Sequence, residues 1–131
     1  MRDAVTIEAM DRKKSARKRK LSAEYTRRLS DLSHSLSAAR VPFLFALYPS
    51  HHSILDPERR ELLHRVERTG RSIGIDTISL LDALAASGKP MDALYLLPED
   101  GHPSPLGYET TAADLLLRVN WATYSGGACS S

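Results

Sequence analysis

The chain has a single cysteine, Cys129, in the Gly/Ser-rich tail "SGGACSS", which excludes an internal disulfide framework. Its longest apolar run, "VPFLFALY" (Val41 to Tyr48), is far shorter than the roughly 20 residues a bilayer span requires. No apolar stretch follows the basic N-terminus, so the pattern of a secretory signal is missing. These absences predict a soluble chain without a membrane span, and they leave its compartment open. Acidic residues are scarce at one end: residues 1–20 hold eight Lys/Arg against three Asp/Glu, whereas residues 21–131 hold ten against thirteen. The net charge of +2 therefore arises at the N-terminus.

That excess is concentrated in "RKKSARKRK" (Arg12 to Lys20), seven basic residues in nine with no acid among them. Such a run repels itself and cannot bury a face, so a solvated tail or a frayed helix is expected, with an anionic partner as the alternative. No aromatic residue is interleaved to stack on bases, which weighs against nucleic acid. Residues 1–21 thus read as a basic arm, flexible or helical. The remainder is long and apolar enough for one compact domain: the chain has 131 residues, 42% of them hydrophobic.

After the arm, Tyr25, Leu29, Leu32, Leu36 and Ala39 recur at helical spacing and predict a helix from about Ser22 to Arg40, which Pro42 ends. "FLFALY" is apolar on both faces, as in strands of parallel sheets, and it ends in the polar tip "PSHH". Asp56 and Pro57 suit the N-cap and first position of a second helix, with Leu62, Leu63 and Val66 buried and Gly70 as its stop. "IGID" (Ile73 to Asp76) reads as a second parallel strand. A short helix in "SLLDALAAS" and a brief strand or extended segment in "ALYL" (Ala93 to Leu96) follow. The last helix is expected after Ser104, with Pro105 at its first position and Leu106, Ala113, Leu116 and Leu117 buried. No internal repeat is present.

Alternating helices and buried strands predict an α/β fold, a partial three-layer α/β/α, flavodoxin-like parallel sheet. Ligands of such sheets gather beyond the C-terminal ends of the strands. "PSHH" follows one strand, and "PEDGHPSPLGYETTA" (Pro98 to Ala112) follows the last extended stretch, so both are expected on one edge. Asp100 and His102, two residues apart at the mouth of a helix, fit three chemistries: a surface turn, half of a metal site with His51 and His52, or the base and orienting acid of a nucleophilic hydrolase.

The stretch "LYLLPEDGHPSPLGYETTAADLL" resembles the C-terminal block of the SGNH/GDSL hydrolases, in which an Asp and a His a few residues apart precede a Pro-rich turn, a glycine and the last helix. "RLSDLSHSLSAARVPFLFALYPS" and "GIDTISLLDAL" are similar to the helix, strand and final strand that come before it, so the resemblance covers residues 22–119, with 120–131 as a flexible tail. It implies the C-terminal half of an SGNH fold, with His102 as the general base for a serine and Asp100 as the acid that fixes its tautomer. The implied substrate is a small-molecule or carbohydrate acyl ester, and the implied activity an esterase or an O-acetyltransferase.

The pattern is incomplete. No Gly-Asp-Ser occurs, and the only asparagine, Asn120, lies after the last helix, so the family's nucleophile and oxyanion donors have no match. A chain of this kind is expected to be inactive alone, to associate with itself or with an N-terminal half, or to be a non-catalytic remnant with a basic arm. Ser50 has no glycine-flanked elbow and ranks low as a substitute nucleophile. Adjacent His51 and His52 diverge, which ranks a metal site low. His64 is expected on the exposed side of its helix, and His34 beside an apolar stripe. No cofactor and no metal are assigned.

Overall fold

The computed structural model describes residues 4–125. From Ala4 to Val41 the sequence has no glycine or proline, and one helix, α1 (Ala4–Ala38), runs through it without a break at the expected boundary between residues 21 and 22. Surface pairs Glu24–Arg28 (2.8 Å) and Arg27–Asp31 (3.2 Å), each one turn apart, add a few tenths of a kcal/mol apiece. The helix closes with Arg40 in the left-handed region at φ 56°. There the Val41 N–H donates to Leu36 O at 2.8 Å and the Arg40 N–H to Ser37 O at 3.0 Å, the paired bonds that satisfy the last carbonyls of a helix. Of the predicted stripe only Leu29 is buried; Leu36 is half-buried, and Tyr25, Leu32 and Ala39 are exposed.

Pro42 turns the chain into β1 (Leu44–Leu47). Helix α2 (His51–Leu55) follows, capped by Ser50, whose side chain accepts from the Ser53 N–H at 3.3 Å. Helix α3 (Pro57–Ser72) starts as expected, with the Asp56 carboxylate accepting from the Glu58 N–H at 3.0 Å and Pro57 in the first turn. It does not stop at Gly70. Gly74, at φ 81°, ends it with the same bond pair as α1: Ile75 N–H to Gly70 O (3.0 Å) and Gly74 N–H to Arg71 O (3.1 Å). Gly70 is required by the sheet instead, since a Cβ there would collide with the Thr77 hydroxyl. The second strand therefore begins three residues later than expected, as β2 (Asp76–Ser79).

Strands β1 and β2 pair in parallel, with Leu44 opposite Asp76 and Leu47 opposite Ser79, so α2 and α3 form the crossover. Helices α4 (Leu81–Ala86) and α5 (Met91–Leu94) follow. Of the expected extended stretch, Ala93 and Leu94 are helical, while Tyr95 is extended and forms an isolated antiparallel bridge to Pro103. Helix α6 (Pro105–Arg118) is capped by Ser104 as predicted, and α7 (Trp121–Tyr124) gives structure to part of the expected tail; Cys129 lies outside the described residues. The buried side of α6 is Gly107 and Thr111, whereas Leu116 and Leu117, predicted inside, are 70% and 87% exposed. The molecule is a mixed α/β fold, mostly helical, around two parallel strands. Its core gathers Ile54, Leu81, Leu84, Leu94 and Tyr95.

The two edges of the sheet differ. The Leu80 N–H donates to Leu47 O at 3.0 Å, so by alternation the backbone groups of Thr77 and Ser79 face away from β1. Both carbonyls there accept from arginine: Thr77 O from Arg71 at 3.4 Å and Ser79 O from Arg118 at 3.0 Å. On the outer edge of β1, Leu44 and Ala46 have no backbone partner among the described residues, and Ala46 is exposed.

Candidate functional site

The loop that carries Asp100 and His102 is closed by backbone bonds. Leu96 N–H donates to His102 O at 2.9 Å, Asp100 N–H to Leu96 O at 2.8 Å, and Ser104 N–H to Leu94 O at 2.9 Å. The Asp100 carboxylate folds back across this loop. Its Oδ1 accepts the His102 backbone N–H at 2.9 Å and is bonded to Nδ1 of the His102 ring. The backbone bond first, and then the imidazole, hold the Asp100 carboxyl below its usual range. With Nδ1 committed to Asp100, Nε2 is the nitrogen left to exchange a proton with a partner. The pair stands open to water: its side chains are 79% (His102) and 49% (Asp100) exposed.

Behind the loop, Ser104 fastens the head of α6. Its hydroxyl donates to Ala93 O at 2.5 Å and accepts the Gly107 N–H at 3.1 Å, so one side chain ties α6 to α5. Gly107 permits this approach, because a Cβ there would strike the Leu94 carbonyl and stand 3.2 Å from the Tyr48 hydroxyl. The Tyr95 hydroxyl donates to Pro49 O at 2.6 Å, which brings the tip of β1 to the segment leading into the loop. Burial raises the pKa of the Tyr95 and Tyr48 phenols.

Four rings line this junction, with centroids 6.4 Å apart for Tyr48 and Tyr95, 5.9 Å for Tyr48 and Tyr108, and 5.8 Å for His51 and Tyr95. The Tyr48 hydroxyl and His51 Nδ1 are buried there with no hydrogen-bond partner among the described residues. Burial, then neighbouring His52 and Arg59, lower the pKa of His51. The tyrosines went unnoticed in the sequence. The signal available was that Tyr48 ends the apolar run of the first strand, Tyr95 sits within "ALYL" and Tyr108 lies in the first turn of the last helix.

The other candidates lie apart from the Asp100–His102 pair. Ser50 is occupied as a helix cap and stands 3.1 Å from the Ser53 hydroxyl, and no bond joins it to His102. His51 and His52 stack on each other with ring centroids 3.8 Å apart. Among the described residues no group of three or more His, Cys, Asp or Glu side chains is placed to hold a metal ion. His64 is half-buried, 3.8 Å from Glu67, and His34 is exposed on α1. Open clefts lie elsewhere, among them two larger ones. One of about 800 Å3 runs along the sealed edge of β2 between Arg71, Arg118 and Tyr124, and one of about 890 Å3 lies between α1 and α3.

No family model, curated protein or solved structure matches the chain. No helix among the described residues is long and apolar enough to cross a membrane.

Proposed function

We propose that Asp100 and His102 are the orienting acid and the general base of an SGNH-type acyl-ester hydrolase site. The observation that carries this reading is the bond between Asp100 Oδ1 and the His102 ring at Nδ1, which leaves Nε2 for a nucleophile. A serine hydroxyl is a weak nucleophile until a base takes its proton, and an imidazole serves as that base when its tautomer and its imidazolium are stabilised from the other nitrogen. His102 Nε2 would take the serine proton during attack and return it to the leaving alkoxide. The flavodoxin-like three-layer arrangement, of which the two parallel strands are a part, belongs to the same proposal.

No serine is bonded to His102 among the described residues, and on this reading an N-terminal half or another chain supplies the nucleophile and the oxyanion donors. Without donors aimed at the developing oxyanion the largest catalytic contribution is missing, and the chain by itself is expected to hydrolyse activated esters no faster than free imidazole does. A second reading, a non-catalytic domain in which the turn is a brace, is favoured by the exposure of His102 and by the Asp100 bond to its backbone.

Long-range 15N NMR of the imidazole separates the two. The hydrolase reading expects the Nδ1–H tautomer for neutral His102 and its loss in Asp100→Asn. It also expects that, in a complex with a segment bearing a Gly-Asp-Ser nucleophile, His102→Ala lowers the esterase rate by about 1,000-fold or more. An Nε2–H tautomer unaffected by Asp100→Asn would leave only the brace.

A further inference from the structure

The N-terminal part of α1 stands clear of the fold. Every residue from Ala9 to Ala23 is exposed, and from Ala9 onward the first buried side chain is Leu29. Ten residues, Asp11 to Lys20, make about 15 Å of free helix at 1.5 Å per residue. Of the nine arginines after the arm, six (Arg27, Arg28, Arg59, Arg68, Arg71 and Arg118) pair with a carboxylate, whereas Arg40, Arg60 and Arg65 make no ion pair among the described residues. On the free stretch Lys13, Lys14, Arg17, Lys18, Arg19 and Lys20 make no ion pair among the described residues. At 100° per residue these six are distributed around the whole circumference of the helix.

We propose that this segment binds duplex DNA through its phosphates, with the helix lying in the major groove. An anionic lipid surface would meet one side of a helix and needs an apolar face to insert, whereas Ala16 is the only apolar residue between Asp11 and Lys20. A groove places phosphates on two sides, which is what a helix cationic on every side can use. The major groove of B-DNA is about 12 Å wide and admits a helix, while that of A-form RNA is too deep and narrow for side chains to read. The lack of aromatic residues weighs against single strands, whose binding depends on stacking, but not against a duplex, whose base faces are covered. The segment lacks the Asn and Gln residues that read adenine, and its cations, spread around the helix, are proposed to meet phosphates on both sides of the groove, so the binding proposed is to the backbone. This inference is independent of the hydrolase reading.

Fluorescence anisotropy of the full chain on a labelled 20-base-pair duplex, repeated between 50 and 200 mM NaCl, tests it. Six phosphate contacts predict a slope of log K against log[NaCl] of about −5, a roughly 1,000-fold weakening over that range, with two unrelated sequences bound about equally. The triple variant Lys13→Gln, Lys14→Gln, Arg17→Gln changes only exposed side chains and is expected to keep the melting temperature while its slope falls to about −3. A slope shallower than about −2, a triple variant with an unchanged slope, or tighter binding to a single strand, duplex RNA or phosphatidylserine vesicles at equal salt would overturn the proposal.

Discussion

Ser104 joins the candidate site to the core with one hydroxyl, which makes it a sharp place to perturb the fold. Ser104→Ala removes an N-cap acceptor from the Gly107 N–H, worth about 1 kcal/mol. It also leaves the part-buried Ala93 carbonyl without its donor, and an acceptor so unsatisfied costs about 1–2 kcal/mol. The sum is about 2–3 kcal/mol, which at a urea dependence of about 1.5 kcal/mol per molar moves the unfolding midpoint down by about 1.5–2 M. Two companions separate the parts. Ser104→Asp keeps an acceptor for the cap but an ionised carboxylate donates nothing to Ala93 O, so it is expected to lose the second part alone. Ser104→Gly retains most of the cap preference and is expected to fall about 0.5–1 kcal/mol short of the alanine loss. Equilibrium urea unfolding followed by circular dichroism reads all three. An alanine variant within about 0.5 kcal/mol of the parent, the range of a neutral surface change, would refute the reasoning, because neither bond would then be holding α6 to α5.

Two further outcomes are expected. Arg40→Gly should relieve the left-handed backbone at the end of α1, raising stability by about 0.5–1 kcal/mol and Tm by about 2–4 °C, while Arg40→Ala leaves both unchanged; differential scanning calorimetry of the two variants is the check. The Tyr124 phenol, hydrogen-bonded to Asp76 at 2.5 Å, has its pKa pushed up to about 12 by that bond. Because the folded value lies above the ordinary value of about 10, the stability from this contact is fully present below pH 10 and is lost as pH rises from 10 towards 12. Tyr124→Phe should flatten that part of the Tm profile, and a parent-minus-variant ultraviolet titration with a midpoint near 10 would contradict the assignment.

What the sequence disclosed was local. Asp56 and Ser104 each cap a helix because the capped N–H lies two or three residues away, and Pro57 and Pro105 mark first turns for the same reason, whereas the cap that Ser50 gives α2 was not read. The bond between Asp100 and His102 was legible because it spans two residues. What failed depended on partners distant in the chain. Gly70 looked like a stop, but it is small because Thr77 presses on it across the crossover. Periodicity placed Leu116 and Leu117 inside, whereas α6 packs through Gly107 and Thr111, whose size lets the helix approach α5 closely. The Tyr95 bond to Pro49 O spans 46 residues, and nothing in either neighbourhood announces it.

The arginines on Thr77 and Ser79 also set a limit on assembly. A strand from any source can join this sheet only at β1, because the carbonyls it would need at β2 are already taken. Two copies meeting at their β1 edges would form four strands whose outer borders are both β2, and both would present guanidinium groups in place of open acceptors. Edge-to-edge growth through this sheet therefore terminates at the pair, and a fibre would have to displace two ion-paired arginines at every step.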